Sequence, residues 1–217
     1  GELLASGYDS RIGVHDPATA TTLRAVGRNE GGESYSLAPL PASDSVLCGM
    51  DDGTIRLERI SAATAAPLAT YGEHTAKVAG VVATSATGFA SASADRTVRL
   101  WDASREAAPT ATLRGDTSYV YDLAPLSEQL VVSASWDRTV AVWDTRAAAR
   151  VASLPVGGTA FRVAALRGDR DSTVAVGLGS GAIELLDLRM AGGSGGGSGG
   201  DCKVGELRGH SRCVRGL

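Results

Sequence analysis

Residues 91–103 read SASADRTVRLWDA, and residues 133–145 read SASWDRTVAVWDT. A thirteen-residue phrase returns forty-two positions later with Ala94 replaced by Trp136. The strand-like ending of each phrase belongs to a longer series: IGVHD at 12–16, IRLER at 55–59, VRLWD at 98–102, VAVWD at 140–144 and IELLD at 183–187. The last residues are Asp16, Arg59, Asp102, Asp144 and Asp187, so the spacing is 43, 43, 42 and 43. Self-similarity at such a period marks an array of one supersecondary unit.

Each copy reads as strand, tight turn, strand. Small and β-branched residues lead into a polar turn at Asp9–Ser10, Asp52–Gly53, Asp95–Arg96, Asp137–Arg138 or Ser180–Gly181, after which apolar alternation resumes. Upstream lie further apolar runs, YSLAPL at 35–40, VAGVVA at 78–83, VYDLAPL at 120–126 and FRVAAL at 161–166, and before them edge-like segments such as TATLRG at 110–115. Four short strands and no helix per period predict an all-β chain of four-stranded antiparallel β-propeller blades.

Composition sets the outer limits. The chain has 217 residues, 43% of them hydrophobic and 21% charged, with mean hydropathy near zero, as in ordinary globular proteins. A formal charge of −3 gives no basic excess for nucleic acid. No apolar run reaches membrane-spanning length, and no signal peptide is recognisable, so a cytoplasmic or other intracellular location is expected. Cys48, Cys202 and Cys213 form no CxxC pattern; free thiols are expected, with a Cys202–Cys213 bridge left open. His15, His74 and His210 have no metal-ligand spacing, and no cofactor is expected.

Four further marks stand out: RGHSRCV at 208–214, GEHTAKV at 72–78, Trp101–Asp102 and Trp143–Asp144. In these the sequence resembles the WD-repeat (WD40) β-propeller family. Departures include Asp116 where the histidine is expected, and His15, Glu58 and Leu186 where tryptophan is expected. The resemblance implies that His74, Ser91, Asp95 and Trp101 form a buried hydrogen-bonded set within one blade, and not a Ser-His-Asp hydrolase site. With no Gly-x-Ser-x-Gly elbow, no enzyme is expected.

GGSGGGSGG at 192–200 reads as an engineered linker, with 190–200 excluded from the folded part. Residues 1–189 are then the propeller, and 201–217 are expected to supply strands completing, with residues 1–16, a blade split between the two ends of a circularly permuted chain. That count gives five blades.

The resemblance also implies a partner-binding face on one side of the propeller. Carried over copy by copy, its residues are Cys213, Arg215 and Tyr8; Glu33, Tyr35 and Asp51; Lys77, Ala79 and Ala94; Tyr119, Tyr121 and Trp136; and Ala160, Arg162 and Gly179. The fourth copy concentrates three aromatics there, a composition typical of binding hot spots. The expected function is a non-enzymatic scaffold for a protein or peptide, monomeric, with no nucleic-acid or membrane role. The alternatives are a structural subunit that contacts others through blade edges, and an incomplete propeller completed by oligomerisation.

Overall fold

The computed structural model describes residues 3–6, 12–16, 18–19, 21–26, 32–41, 43–60, 67–105, 108–166, 172–192 and 202–217. Among these residues the chain is all-β apart from a short 3-10 turn, Leu188–Gly192. Among the described residues no helix is long and apolar enough to cross a membrane.

Five sheets follow one another, each made of consecutive strands in up-and-down order. The first has three strands, β1 (Leu3–Ser6), β2 (Ile12–Asp16) and β3 (Thr21–Val26). The second has β4 (Ser34–Pro39), β5 (Ser45–Met50), β6 (Ile55–Arg59) and β7 (Ala69–Tyr71). The third has β8 (Val78–Ala83), β9 (Gly88–Ser93), β10 (Thr97–Asp102) and β11 (Ala111–Arg114). The fourth has β12 (Val120–Pro125), β13 (Leu130–Ser135), β14 (Thr139–Asp144) and β15 (Ala149–Pro155). The fifth has β16 (Ala160–Leu166), β17 (Thr173–Leu178), β18 (Ile183–Asp187) and β19 (Lys203–Leu207). Four-stranded antiparallel sheets of this kind are propeller blades. The chain divides into two compact units, 1–95 with 99–110 and 96–98 with 111–217.

The second strand of each four-stranded sheet explains the small residues. In β9 and β13 every residue after the first is buried, and Ser91, Ser93, Ser133 and Ser135 are fully so. A strand covered on both faces has no solvent side, so alternation gives way to a run of Ala, Ser and Val. The first unit's core gathers Leu47, Ile55, Tyr71, Val78, Phe89 and Trp101; the second unit's core gathers Val132, Val140, Leu154, Val174, Val176 and Leu186.

The inner hairpins share one turn. Asp52 and Asp137 each use Oδ1 to accept from the backbone N–H and hydroxyl of the threonine two residues on, Thr54 and Thr139. The residue between has positive φ: +87° at Gly53, +70° at Arg96, +69° at Arg138 and +90° at Gly181. Glycine is needed at two of these for a second reason. A Cβ at Gly53 would lie 2.5 Å from the His74 carbonyl oxygen, and one at Gly181 would lie 2.3 Å from that of His210.

Two expectations about strand assignment change. The edge-like segment of each copy closes the sheet before it, as β11 does for β8–β10, because it pairs with the strand that carries the preceding Asp ending, its neighbour in sequence. Likewise Lys203–Leu207, expected beside residues 1–16, pairs with β18 from Ile183↔Leu207 to Leu186↔Lys203. Residues 208–217 form no strand, but Val214 packs on Gly177 as Val78 packs on Gly49. The turn at Asp9–Ser10 and the linker from 193 lie outside the described residues.

Candidate functional site: an exposed aromatic cluster and a buried hydrogen-bonded set

In the third sheet the structure brings His74, Ser91, Asp95 and Trp101 together. His74 Nδ1 lies 2.7 Å from Asp95 Oδ2, and Nε2 lies 2.7 Å from Ser91 Oγ. Donation from Nδ1–H to the carboxylate leaves Nε2 to accept from the Ser91 hydroxyl, which accepts the Trp101 indole N–H at 2.8 Å. The Thr75 N–H also donates to Asp95 Oδ2, at 3.3 Å. Trp101 stacks on Phe89 at 5.9 Å and meets Tyr71 edge-on at 5.6 Å. Ser91 is wholly buried and His74 nearly so, so the hydroxyl is sealed from any substrate. These contacts fasten the loop at His74 to the turn at Asp95 and to the sheet interior.

The fourth sheet keeps part of this arrangement. The Trp143 indole N–H donates to Ser133 Oγ at 2.9 Å, and Asp137 Oδ2 accepts from the Thr117 N–H at 2.8 Å. Burial pushes the Asp137 carboxyl up, but hydrogen bonds from Thr139, Thr117 and Ser135 outweigh it and hold it below its ordinary value. Asp116 stands in the histidine's place. It is buried, and neither carboxyl oxygen has a hydrogen-bond partner. Burial, with the nearby Asp137 charge and against the Arg150 charge, pushes it up to about 7.

The inner strands β4, β8, β12 and β16 each carry a bulge near their start, at Tyr35, Ala79, Tyr121 and Phe161. Two residues before each bulge, a carbonyl accepts an N–H from the hairpin end: Glu33 from Asp51 (3.1 Å), Lys77 from Ala94 (2.9 Å), Tyr119 from Trp136 (2.9 Å) and Thr159 from Gly179 (2.9 Å). The bonding is the same in these four copies, while the side chains at these positions vary. This geometry moves the expected positions in the fifth copy by one residue, from Ala160 and Arg162 to Thr159 and Phe161. Ala160 is fully buried, and Ala79 is buried in its own copy. The cause is the bulge, where two residues oppose one and strict alternation fails.

In the second unit Tyr119, Tyr121, Trp136 and Phe161 form one contiguous cluster. Trp136 stacks on Tyr121 (5.9 Å, 9°) and packs against Tyr119 (5.0 Å) and Phe161 (5.5 Å), and Phe161 meets Tyr121 edge-on at 5.1 Å. Trp136 is 36% and Tyr119 42% exposed, whereas Trp101 and Trp143 are buried. Phe161 was missed from sequence. Its signal, an aromatic directly before Arg162, becomes readable once the bulge is known. The Arg162 guanidinium lies 5.5 Å from the Tyr121 ring centre, donates through Nε to the Arg215 carbonyl at 2.7 Å, and approaches Asp122 at 3.7 Å. Asp122 Oδ2 accepts from the Val163 N–H at 3.0 Å. Burial dominates there and pushes the carboxyl up to about 6, against the pull of that N–H and of Arg162. The Arg215 side chain is exposed and its Nε reaches Cys213 Sγ at 3.3 Å.

In the first unit the expected residues make a polar group. Lys77 Nζ sits 4.1 Å from the Tyr35 ring centre, the Tyr35 hydroxyl donates to Glu33 Oε2 at 2.9 Å, and Asp51 is exposed beside them. Tyr8 lies outside the described residues. All three cysteines are free thiols, so the bridge left open between Cys202 and Cys213 is not formed.

Residues 65–102 and 107–144 match the family model described as WD domain, G-beta repeat. No curated protein matches the chain. The two matched stretches end on Trp101–Asp102 and Trp143–Asp144, and they hold the complete four-residue set and the Trp136 hairpin. These two stretches, 65–102 and 107–144, are therefore WD40 repeats.

Proposed function

We propose that the chain is a non-enzymatic interaction scaffold that docks a protein or peptide on the aromatic cluster of its second unit. WD40 repeats are in general protein-interaction modules, which is the coarse support. The observation that carries the reading is the exposure of Trp136 and Tyr119 side by side, on a rigid hairpin end whose backbone bonding does not depend on them. Large rigid rings give contact area at low entropic cost, and such residues dominate measured binding hot spots. Tyr121, Arg162 and Arg215 border the same surface, and Tyr35, Asp51 and Lys77 offer a second, polar contact area in the first unit.

The test is affinity capture with the wild-type chain, followed by titration of each recovered partner against wild type and Trp136→Ala. Loss of affinity by about tenfold or more with an unchanged melting temperature supports the site. Unchanged affinity removes it. A second reading, contact through blade edges, is favoured by the exposed Val151 on β15 and by Val204 and Leu207 on β19. A chain that sediments as a concentration-dependent oligomer, and that Val204→Glu renders monomeric, would support that reading instead.

A further inference from the structure

We propose that the aromatic cluster selects an acidic peptide segment carrying an apolar anchor residue, an inference that rests on the docking site just described. Two observations carry it. The first is the state of the rings. Tyr121 and Trp136 lie nearly parallel in contact, and an arginine already covers Tyr121, so no gap is left between them for a partner's ammonium group. What they present outward is an apolar platform of Trp136 and Tyr119.

The second is the charge around that platform. Arg138 is exposed two residues beyond Trp136, and Arg212 and Arg215 are exposed on the segment whose Arg215 carbonyl holds Arg162. The carboxylates at this end are engaged or, at Asp116, buried. Asp137 is bonded at both oxygens by Thr117 and Thr139, and Asp122 is held by the Val163 N–H and Arg162. Farther out, Glu184 and Glu206 are paired with Lys203. A partner laid across Trp136 therefore meets arginine on both flanks. Carboxylates on either side of a Leu, Pro or Phe anchor complement that pattern, whereas lysines would face like charge. Single-stranded nucleic acid is also anionic and stacks on aromatic rings, but it needs a basic track longer than these few arginines in a chain of net charge −3.

Trp136 is the exposed tryptophan among three, so its fluorescence reports the site directly. Three probes are titrated: a short peptide with a Leu-Pro-Phe centre flanked by glutamates, the same centre flanked by lysines, and an oligothymidylate. The glutamate peptide should bind at least about tenfold tighter than the lysine peptide, and should weaken several-fold when salt rises from about 50 to about 300 mM. Arg138→Glu with Arg215→Glu should reverse the preference, while labelled glutamate peptide should lose about tenfold in affinity for Trp136→Ala. If the double variant does not fold, iodide and caesium quenching of the wild-type chain decides, since a cationic rim predicts stronger quenching by iodide.

Equal or stronger binding of the lysine peptide, when lost in Trp136→Ala, overturns the acidic class and leaves the docking site standing. Tighter, Trp136-dependent binding of the oligothymidylate overturns it in favour of nucleic acid. Peptide binding that survives Trp136→Ala overturns the site itself, and failure of all three probes overturns the proposal.

Discussion

Replacing Asp116 should stabilise the protein, and the gain should depend on pH. Asp116 occupies the place that His74 holds in the neighbouring repeat, but its side chain is shorter and both carboxyl oxygens are buried without a hydrogen-bond partner. Its carboxyl rises from an ordinary 3.8 to about 7, chiefly through burial. Because the folded-state value is raised, the residue costs nothing below about pH 3.8. The cost grows as pH climbs towards 7 and is constant above that. About three pH units at about 1.4 kcal/mol each set a ceiling near 4 kcal/mol. Mutational data on unsatisfied buried groups put the effective cost at about 1–3 kcal/mol.

Asp116→Asn should therefore gain about 1–3 kcal/mol at about pH 8, on the order of 2–12 °C in melting temperature, and almost nothing near pH 4. Asp116→His should gain at least as much, since an imidazole there can reach Asp137 and Ser133 as His74 reaches Asp95 and Ser91. Urea unfolding of the three proteins at about pH 4, 6 and 8 measures the effect. A gain of the same size at every pH, or no gain at about pH 8, would refute the account of an unpaired buried carboxylate.

His74→Ala should cost about 2–4 kcal/mol, because it strips hydrogen bonds from buried Ser91 and from Asp95 and leaves a cavity beside Trp101; urea unfolding checks this. Gly181→Ala should cost more than about 1 kcal/mol, since φ is +90° and the new Cβ would meet the His210 carbonyl, whereas Arg138→Gly at the equivalent turn should be neutral or stabilising by up to about 1 kcal/mol. Native thiol titration should label Cys213 quickly and leave Cys48 and Cys202 until unfolding, because both are buried and burial holds the Cys48 thiol well above its ordinary range. Fast labelling of more than one thiol in the native state would count against that burial.

Much of the fold was legible because it depends on local chemistry repeated five times. The strand ends at Asp16, Arg59, Asp102, Asp144 and Asp187 are those of β2, β6, β10, β14 and β18. The turn pairs named for the second to fifth copies hold the positive-φ residues Gly53, Arg96, Arg138 and Gly181. What was hidden depends on contacts between residues far apart in sequence. Phe161 joins Trp136 because two sheets lie side by side, and the bulge that makes it equivalent to Tyr121 has no sequence signature beyond a broken alternation. The substitution at Asp116 was visible as a departure, but only burial reveals that its oxygens go unpaired. The assignment of Lys203–Leu207 failed because a sequence repeat and a sheet are different units, offset by one strand.

That offset bears on how such chains can be cut and recombined. The stretch 65–102 begins with β7, which closes the sheet of β4–β6, and only then supplies β8–β10. Excising one sequence repeat would therefore leave a raw strand edge on the sheet before it, exposing the unpaired Leu57 end of the ladder that Ala69 now covers. A cassette that can be moved without opening a neighbour begins at an inner strand such as Val78 and runs through the outer strand after the next Trp-Asp ending. Insertions and domain fusions placed by sequence period would split a sheet, whereas those placed by this structural period would fall in a loop.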